Sequence, residues 1–399
     1  MSSTTTAFDV IVIGAGAAGL MCALTAGQRG RKVLLLEYTD KVGAKILISG
    51  GGRCNFTNLD CVPARFISAN PHFATSALKR YTARDFIGLV ERHAIAYHEK
   101  TLGQLFCDGS SRAIVEMLVS ECTAGGVDIR LSHTVTGITR ADDFRVETNN
   151  GAFTAQSVVL ATGGLSIPKM GASGFAYDIA RQFGLRVTET LPALVPLKSA
   201  ADTDGCDPYL AGVSLDVIAT HGKQEFREAM LFTHRGLSGP AILQISSYWK
   251  AGDAITLDLL PDTDAAALLI ARKKARPKAQ AQSILAEILP ARMAEVWAPL
   301  VLPPRDLASE LANIPDRALL AAADKLKRWE FTPSGTEGYA KAEVTLGGID
   351  TRDLSSKTME ARAVPGLYAI GEAVDVTGWL GGYNFQWAWS SGWSAGMAV

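Results

Sequence analysis

Three stretches of the sequence predict an α/β fold. An apolar strand (Val10, Ile11, Val12, Ile13) runs into Gly14-Ala15-Gly16-Ala17-Ala18-Gly19 and then into an Ala-rich helical pattern. Lys32-Val33-Leu34-Leu35-Leu36 reads as a buried parallel strand that closes at Glu37. Farther on, residues 134–148 and 153–160 read as a strand pair around Asn149-Asn150-Gly151, a hairpin signal, and the second run continues into Ala161-Thr162-Gly163-Gly164. Together these predict a Rossmann-like domain with a β meander, interrupted by an inserted domain with a small β part and a helical part. The expected limits are residues 1–190 and 340–399 for the nucleotide domain and 191–339 for the insert, whose β part ends near 260.

The glycines of the first stretch each have a physical task. Gly14 turns the chain sharply out of the strand, Gly16 lets the backbone approach a pyrophosphate, and Gly19 lets the helix pack closely on the sheet. Ala17 and Ala18 open a helix whose unpaired N–H groups and positive dipole end favour phosphate. Glu37, about 20 residues beyond, stands where an acid binds ribose hydroxyls. Its charge repels a 2′-phosphate, so the site is expected to take the ADP half of FAD or NAD rather than NADP.

Residues 41–55 are too glycine-dense to be a plain connector and predict a ligand-facing loop. Gly50-Gly51-Gly52 exposes backbone N–H groups, and Lys45, Ser49, Arg53 and Asn55 add donors suited to phosphate oxygens and a flavin edge. A flexible surface loop is the alternative. Cys54, beside Arg53, is a candidate reactive thiolate. Residues 83–97 and 111–124 have helical spacing, the second stopped by Gly125-Gly126, and residues 127–131 read as a strand. Val135 in the meander and Thr162 and Gly163 after it are assigned to the nucleotide site.

Residues 192–257 are strand-like, and residues 265–329 are Ala- and Leu-rich with helical spacing broken by prolines. Within the insert, His234 and Arg235 place an acid/base and an anion clamp in one glycine-flanked loop, and they are the substrate-side candidates; a hydrogen-bonded structural corner is the alternative. In the tail, Gly371-Glu372-Ala373-Val374-Asp375 supplies carboxylates near a ribityl and phosphate region. Gly381-Gly382-Tyr383-Asn384-Phe385-Gln386 opens a terminal helix, expected over 386–398, whose start would face the flavin pyrimidine edge and favour the charge of reduced flavin. No second strand-GxGxxG-helix unit occurs. One tightly held dinucleotide closed by the C-terminal segment points to FAD, bound non-covalently.

Composition narrows the function further. Apolar content of 48% against 20% charged residues suits a globular chain with a large core. A net charge of −1 gives no global footprint for nucleic acid, so nucleic acid is not expected as a partner, and the redox chemistry of a flavin leaves a small-molecule substrate as the expectation. One basic cluster, Arg272, Lys273, Lys274, Arg276 and Lys278, reads either as a polyanion patch or as a solvated loop beside a helix. No apolar run is long enough to span a membrane, and the N-terminus lacks the basic region of a signal peptide. Six scattered cysteines fit a reducing, cytoplasmic setting, and no Cys/His spacing suggests a metal.

Over nearly its whole length the sequence resembles the BaiN-like family of bacterial NAD(P)/FAD-dependent oxidoreductases. The matching stretches include residues 12–19, Lys45 to Asn55 with Ser-Gly-Gly-Gly-Arg-Cys-Asn, Phe232-Thr-His-Arg-Gly-Leu-Ser-Gly-Pro240, Val344-Thr-Leu-Gly-Gly-Ile349 and Gly381-Gly-Tyr-Asn-Phe-Gln386. The resemblance implies an FAD-binding fold with an inserted substrate domain and a redox activity on an unidentified small organic substrate, with NAD(P)H as a candidate transient donor. Leu105-Phe106-Cys107-Asp108 departs from the Val-Phe-Pro step of many relatives. Two other readings stand beside the enzyme: a flavin-binding redox sensor, and a flavin disulfide reductase using Cys54 and Cys61, whose six-residue gap is wider than the four-residue gap of such enzymes.

Overall fold

The computed structural model describes residues 6–200 and 205–399. The first five residues, part of the stretch judged not to be a signal peptide, lie outside that range. The chain divides into two compact units, one formed by residues up to Leu191 together with Val344–Val399, the other by Pro192–Glu343.

In the first unit, β1 (Thr6–Ile13) leads through α1 (Ala17–Gln28) to β2 (Val33–Leu36). The parallel sheet runs from Asp128–Arg130 through β2, β1 and Gly151–Leu160 to Leu367–Ala369. Its central strands are apolar on both faces, and Val10, Ile11, Val12, Leu34, Leu35, Val158 and Val159 are all fully buried. On the edge away from β1, the ten-residue strand Gly151–Leu160 serves two partners: its first half pairs antiparallel with Phe144–Thr148, its last three residues parallel with Leu367–Ala369. The run read as one strand over 134–148 is two, Val135–Arg140 and Phe144–Thr148, because Ala141-Asp142-Asp143 turns the chain. The meander therefore has three strands.

The terminal helix covers Tyr383–Gly396, starting three residues earlier than its spacing suggests, because two left-handed glycines, Gly381 (φ 104°) and Gly382 (φ 97°), deliver the chain directly into it. It packs along α1 through small residues. A Cβ on Gly392 would lie 2.5 Å from the Ala18 carbonyl oxygen, and one on Gly396 would lie 2.6 Å from Thr25 Cβ. Arg29 at the end of α1 donates to the carbonyls of Gly396 (2.8 Å) and Val399 (2.9 Å), tying the chain end to the first helix.

The second unit is a seven-stranded sheet with a helical excursion. Its order is Trp329–Phe331, Ile255–Asp258, Ser214–His221, Gln224–Thr233, Gly236–Ser238, Leu197–Lys198 and Gly335–Thr336. The helical part, expected over about 261–339 with helical spacing to 329, thus returns to strand at Trp329, after the helices between Ala265 and Lys327. Phe331 and Gly335 occupy opposite edges, yet the chain joining them spans at most about 14 Å. Seven strands laid flat would hold those edges about 29 Å apart. The sheet must curl on itself.

The α1 contact makes a sign prediction. Gly→Ala at an exposed helical site gains up to about 1 kcal/mol, but Gly392→Ala should cost about 1–3 kcal/mol, because the added methyl has no room. Denaturant unfolding checks this, and an unchanged or raised midpoint would contradict the packing described.

Candidate active site

The turn after β1 separates three jobs among three glycines. Gly14 has φ 105°, and a Cβ there would sit 2.6 Å from the Ala161 carbonyl oxygen; a Cβ on Gly19 would sit 1.9 Å from the Gly14 carbonyl oxygen. Both are forced by the protein's own packing. Gly16 is different. Its φ of −82° and ψ of −172° suit any residue, and a Cβ there would meet nothing within 4 Å. Neither backbone strain nor packing asks for glycine at Gly16, which leaves close approach by a ligand as its purpose. Gly16 also N-caps α1 with no side-chain hydrogen bond and no acid in the first turn, so the N–H groups at Ala17 and Ala18 lack a side-chain cap.

Glu37 is buried at the end of β2. Its carboxylate accepts from the Ala15 N–H (2.8 Å), the Thr39 N–H (3.0 Å) and the Thr39 hydroxyl (2.9 Å), which fix it beside the glycine turn. Opposite the turn, Thr162 carries a hydroxyl that is buried without a partner among the described residues, and Gly163 (φ 77°) faces open space. Val135 lies half-buried at the start of the meander, paired with Thr148. A free helix start, a fixed carboxylate and an orphaned hydroxyl around a glycine turn form a donor and acceptor set that fits the pyrophosphate and ribose of FAD.

Residues 41–55 are more ordered than a flexible loop. Ala44–Ile48 forms a helical turn, and Gly50, Gly51, Gly52 and Cys54 all take positive φ. The Ser111 N–H pins the Gly52 carbonyl (2.8 Å) and the Cys107 N–H pins that of Arg53 (3.1 Å). Ser49 is turned back onto the Ile46 carbonyl (2.8 Å), while Gly50 and Arg53 are exposed. Lys45 does not stand free for phosphate. It pairs with Glu372 (2.7 Å) and donates to Ser166 Oγ (2.6 Å), and Ser166 itself donates to Glu372 (2.7 Å). The Thr345 N–H completes the set on Glu372 at 2.9 Å, and Gly164 leaves room for that side chain. Burial pushes the Glu372 carboxyl up, but the Lys45 charge and the Lys45, Ser166 and Thr345 hydrogen bonds outweigh it and hold the group below its ordinary value.

Several assigned side chains turn out to be structural. Asn384 accepts from the Gly378 N–H (2.8 Å) and donates to the Gly378 (2.9 Å) and Trp379 (3.3 Å) carbonyls, so it clips its own turn instead of meeting a flavin edge. Gln386 is fully buried between Thr57 (2.7 Å), Ser390 (3.0 Å) and the Tyr81 carbonyl (3.1 Å). Phe385 stacks on Trp389 at 5.6 Å. Asn55, with its amide oriented to satisfy its neighbours, donates to the Leu105 and Thr57 carbonyls (3.1 Å each) and accepts from the Gly382 N–H (3.2 Å), while Asn58 donates to the Gly381 carbonyl (2.9 Å). The two asparagines therefore clamp the glycine pair that starts the terminal helix. Cys54 is fully buried, and burial pushes its thiol up to about 12, the opposite of an activated thiolate. Cys61 is raised to about 12 by the same cause, and all six cysteines are free. A thiol-disulfide site at these two positions is not supported.

Gly371 (φ 63°) brings the return loop against α1, where a Cβ would come within 2.8 Å of Ala18 Cβ; the Trp387 indole donates to its carbonyl (3.0 Å) and its N–H donates to Ser391 Oγ (3.0 Å). Asp375, four residues on, is 4% exposed, and its carboxylate accepts from the Ala69 N–H at 3.0 Å, with no further side-chain partner among the described residues. Burial, against that N–H and with Asp350 adding to it, pushes its carboxyl from 3.8 up to about 6. Sequence reasoning assigned no site role to Ser166, Thr345 and Asn58, which hold the loops; Thr345 lies in the matching stretch 344–349, but nothing local to it marks Glu372 as its partner. In the second unit, His234 and Arg235 occupy the exposed turn after Gln224–Thr233; the Arg235 side chain makes a loose 4.0 Å contact with Glu337, while its N–H donates to Thr233 Oγ1 (3.2 Å) and its carbonyl accepts from the Ser199 N–H (2.8 Å), so the backbone of the turn is a hydrogen-bonded corner. No group of metal-ligating side chains occurs among the described residues.

The fold and this cradle define a flavin-dependent oxidoreductase of the Rossmann type. The model of the HI0933-like protein Rossmann domain matches residues 8–398, and the chain belongs to that family, the BaiN-like FAD-dependent oxidoreductases. It is 52% identical over 389 residues to the ribosomal RNA dihydrouridine synthase of Escherichia coli strain K12, covering 97% of this chain and 96% of that protein. It is also 31% identical over 410 residues to the 3-dehydro-bile acid delta(4,6)-reductase of Clostridium scindens, covering 97% and 98%. Among solved structures, 3-ketosteroid-delta4-(5alpha)-dehydrogenase from Rhodococcus jostii RHA1 aligns with a TM-score of 0.51 at 16% identity, over 99% of this chain and 98% of that one, a likeness of fold. The chain is thus an FAD-dependent enzyme. No helix among the described residues is long and apolar enough to cross a membrane.

Two outcomes check the cradle. Compared in the flavin-free state, Gly16→Val should lie within about 1 kcal/mol of the parent and fail to retain flavin, whereas Gly19→Val should lose more stability than that; a yellow Gly16→Val protein would refute the close approach. For Asp375, the folded carboxyl titrates above the unfolded one, so its own contribution to the stability of the flavin-free protein should fall as pH rises from about 4 to about 6. Stability curves of the parent and Asp375→Asn proteins should therefore diverge across that range, the parent losing ground to the variant as pH rises, and parallel curves would contradict it.

Proposed function

We propose that this chain reduces a uracil base of ribosomal RNA to dihydrouridine, with NAD(P)H as the external two-electron donor. The observation that carries the reading is its near full-length 52% identity to a synthase of that name. The chemistry is coherent with the second relative. A uracil C5=C6 bond is conjugated to the C4 carbonyl, as the double bonds of a 3-dehydro-delta(4,6) steroid are conjugated to the 3-keto group. Both substrates have an electron-poor β-carbon that accepts hydride, followed by a proton at the α-carbon. For uracil, hydride goes to C6 and a proton to C5, and NAD(P)H is oxidised to NAD(P)⁺. FAD, when bound, would supply the two-electron hydride chemistry that links donor and base.

The chain's own residues bind and orient. Gly16, the start of α1, Glu37 and Thr162 hold the ADP side in this reading, and Asp375 accepts from a hydroxyl of the cofactor. His234 is the proposed proton donor and Arg235 the proposed clamp for an anionic group of the substrate, both on an exposed turn open to a large partner. This reading proposes a base within RNA as substrate in place of a small molecule; the net charge that argued against nucleic acid describes the whole chain and not each part. Six free cysteines fit a cytoplasmic setting for this work.

The test is anaerobic reduction of the purified protein with NADH or NADPH, then addition of ribosomal RNA lacking the modification. Expected are bleaching by one donor, reoxidation by the RNA and a uridine mass gain of two hydrogens. Bleaching without any RNA product would overturn the substrate. Arg235→Ala should lower RNA turnover about ten- to a hundredfold, the range of a lost charge-assisted hydrogen bond, while flavin content and bleaching by the donor stay unchanged; equal turnover would remove Arg235 from the role.

A further inference from the structure

The helical excursion of the second unit has a charge of its own. Residues 264–328 hold eleven Lys and Arg against seven Asp and Glu, a net charge of +4 in a chain whose total is −1. Much of the excess lies where the helix Ala265–Ala275 ends and the helix Asp316–Lys327, packed beside it, begins.

Ordinary structural work explains only part of it. Arg272 (3.3 Å) and Arg276 both grip Glu287, leaving one positive charge over from three groups. Lys273 is used up on Asp316 (2.7 Å) and the Ile314 carbonyl (2.6 Å). Lys274, Lys278 and Arg317 are exposed and make no ion pair among the described residues. Lys274 at a helix C-terminus favours the helix dipole, but Arg317, the second residue of its helix, opposes it, and Lys278 lies outside any helix beyond Pro277. Helix stability therefore does not account for Arg317 or Lys278. The surface is also built. The Ala312 N–H donates to the Pro277 carbonyl and the Leu311 N–H to the Ala279 carbonyl, both at 2.9 Å, fixing the basic loop against the segment that leads to Arg317.

We propose that this face, with Lys274, Lys278 and Arg317 at its surface and the Arg272–Glu287–Arg276 brace behind them, docks the ribose-phosphate backbone of RNA; the proposal rests on the ribosomal RNA reading above. Cations without acid partners on a pinned backbone fit phosphate, which supplies most of the sequence-independent affinity for nucleic acid. An anionic lipid surface fits less well, because the exposed run Lys274-Ala275-Arg276-Pro277-Lys278 offers no large apolar side chain to enter a bilayer.

The test compares the full holoenzyme with the triple variant Lys274→Gln, Lys278→Gln, Arg317→Gln, by fluorescence anisotropy on a ribosomal RNA fragment across a salt series. The variant should bind at least about tenfold more weakly at moderate salt, and the slope of log affinity against log salt should become shallower by about two to three units, one for each lost phosphate contact. Flavin absorbance and bleaching by the nicotinamide donor should be unchanged. Equal affinity and slope, no RNA binding by the unaltered protein, or binding to anionic vesicles in preference to RNA would each overturn the proposal. Dihydrouridine formation is measured in parallel. If it persists in a variant that binds RNA normally, the docking face fails and the catalytic reading survives; if RNA binding depends on the face but no dihydrouridine forms, the reverse holds.

Discussion

The backbone-level approach of α1 to the terminal helix governs the first unit. Only residues with little or no side chain let the two helices sit this close, with Gly392 against the Ala18 carbonyl and Gly396 against Thr25 and the Cys22 carbonyl. The consequence reaches the site. With the last helix seated, Gly371 meets Ala18 at the start of α1, and Asn55 and Asn58 can hold Gly381 and Gly382. Segments far apart in sequence thereby become neighbours around one glycine turn. Arg29 secures the arrangement from the far end, through the carbonyls of Gly396 and Val399.

A second constraint is electrostatic. Lys45, Ser166, Thr345 and Glu372 come from four separate segments and satisfy one another within 2.9 Å. Breaking one partner of such a set would strand a desolvated charge, so the network favours a single arrangement of the loops it joins. Thr345 lies next to the point where the chain returns from the second unit, which makes this network the anchor for that return.

The sequence carried those parts of the fold whose residues are chosen by local backbone demands. Gly14, Gly16, Gly19 and Glu37 were legible because a nucleotide turn constrains each position separately, and the parallel strands because both of their faces are apolar. Side-chain roles at the C-terminal end were not legible. Asn384 and Gln386 look like free donors in sequence, but their partners, Gly378 and Thr57 with Tyr81, depend on tertiary placement. Cys54 looked reactive beside Arg53, yet its positive φ and full burial turn the thiol inward. The strands Trp329–Phe331 and Gly335–Thr336 were hidden by shortness, since three and two residues carry no periodicity.

If the substrate is a base in folded RNA, as proposed, the enzyme has two separable needs: a rigid cofactor cradle and a means of gripping a large polyanion. The first unit supplies a cradle made from both ends of the chain, and the charge asymmetry of the helical excursion suits the second need. The central claim is that one FAD is held jointly by the N-terminal clamp and the C-terminal return. Hydrogen–deuterium exchange of the flavin-free protein, with and without added FAD, tests it most directly. Protection should appear together over residues 14–19, 43–55, 161–166 and 371–386. Protection confined to the N-terminal glycines, or to residues 192–343, would contradict it.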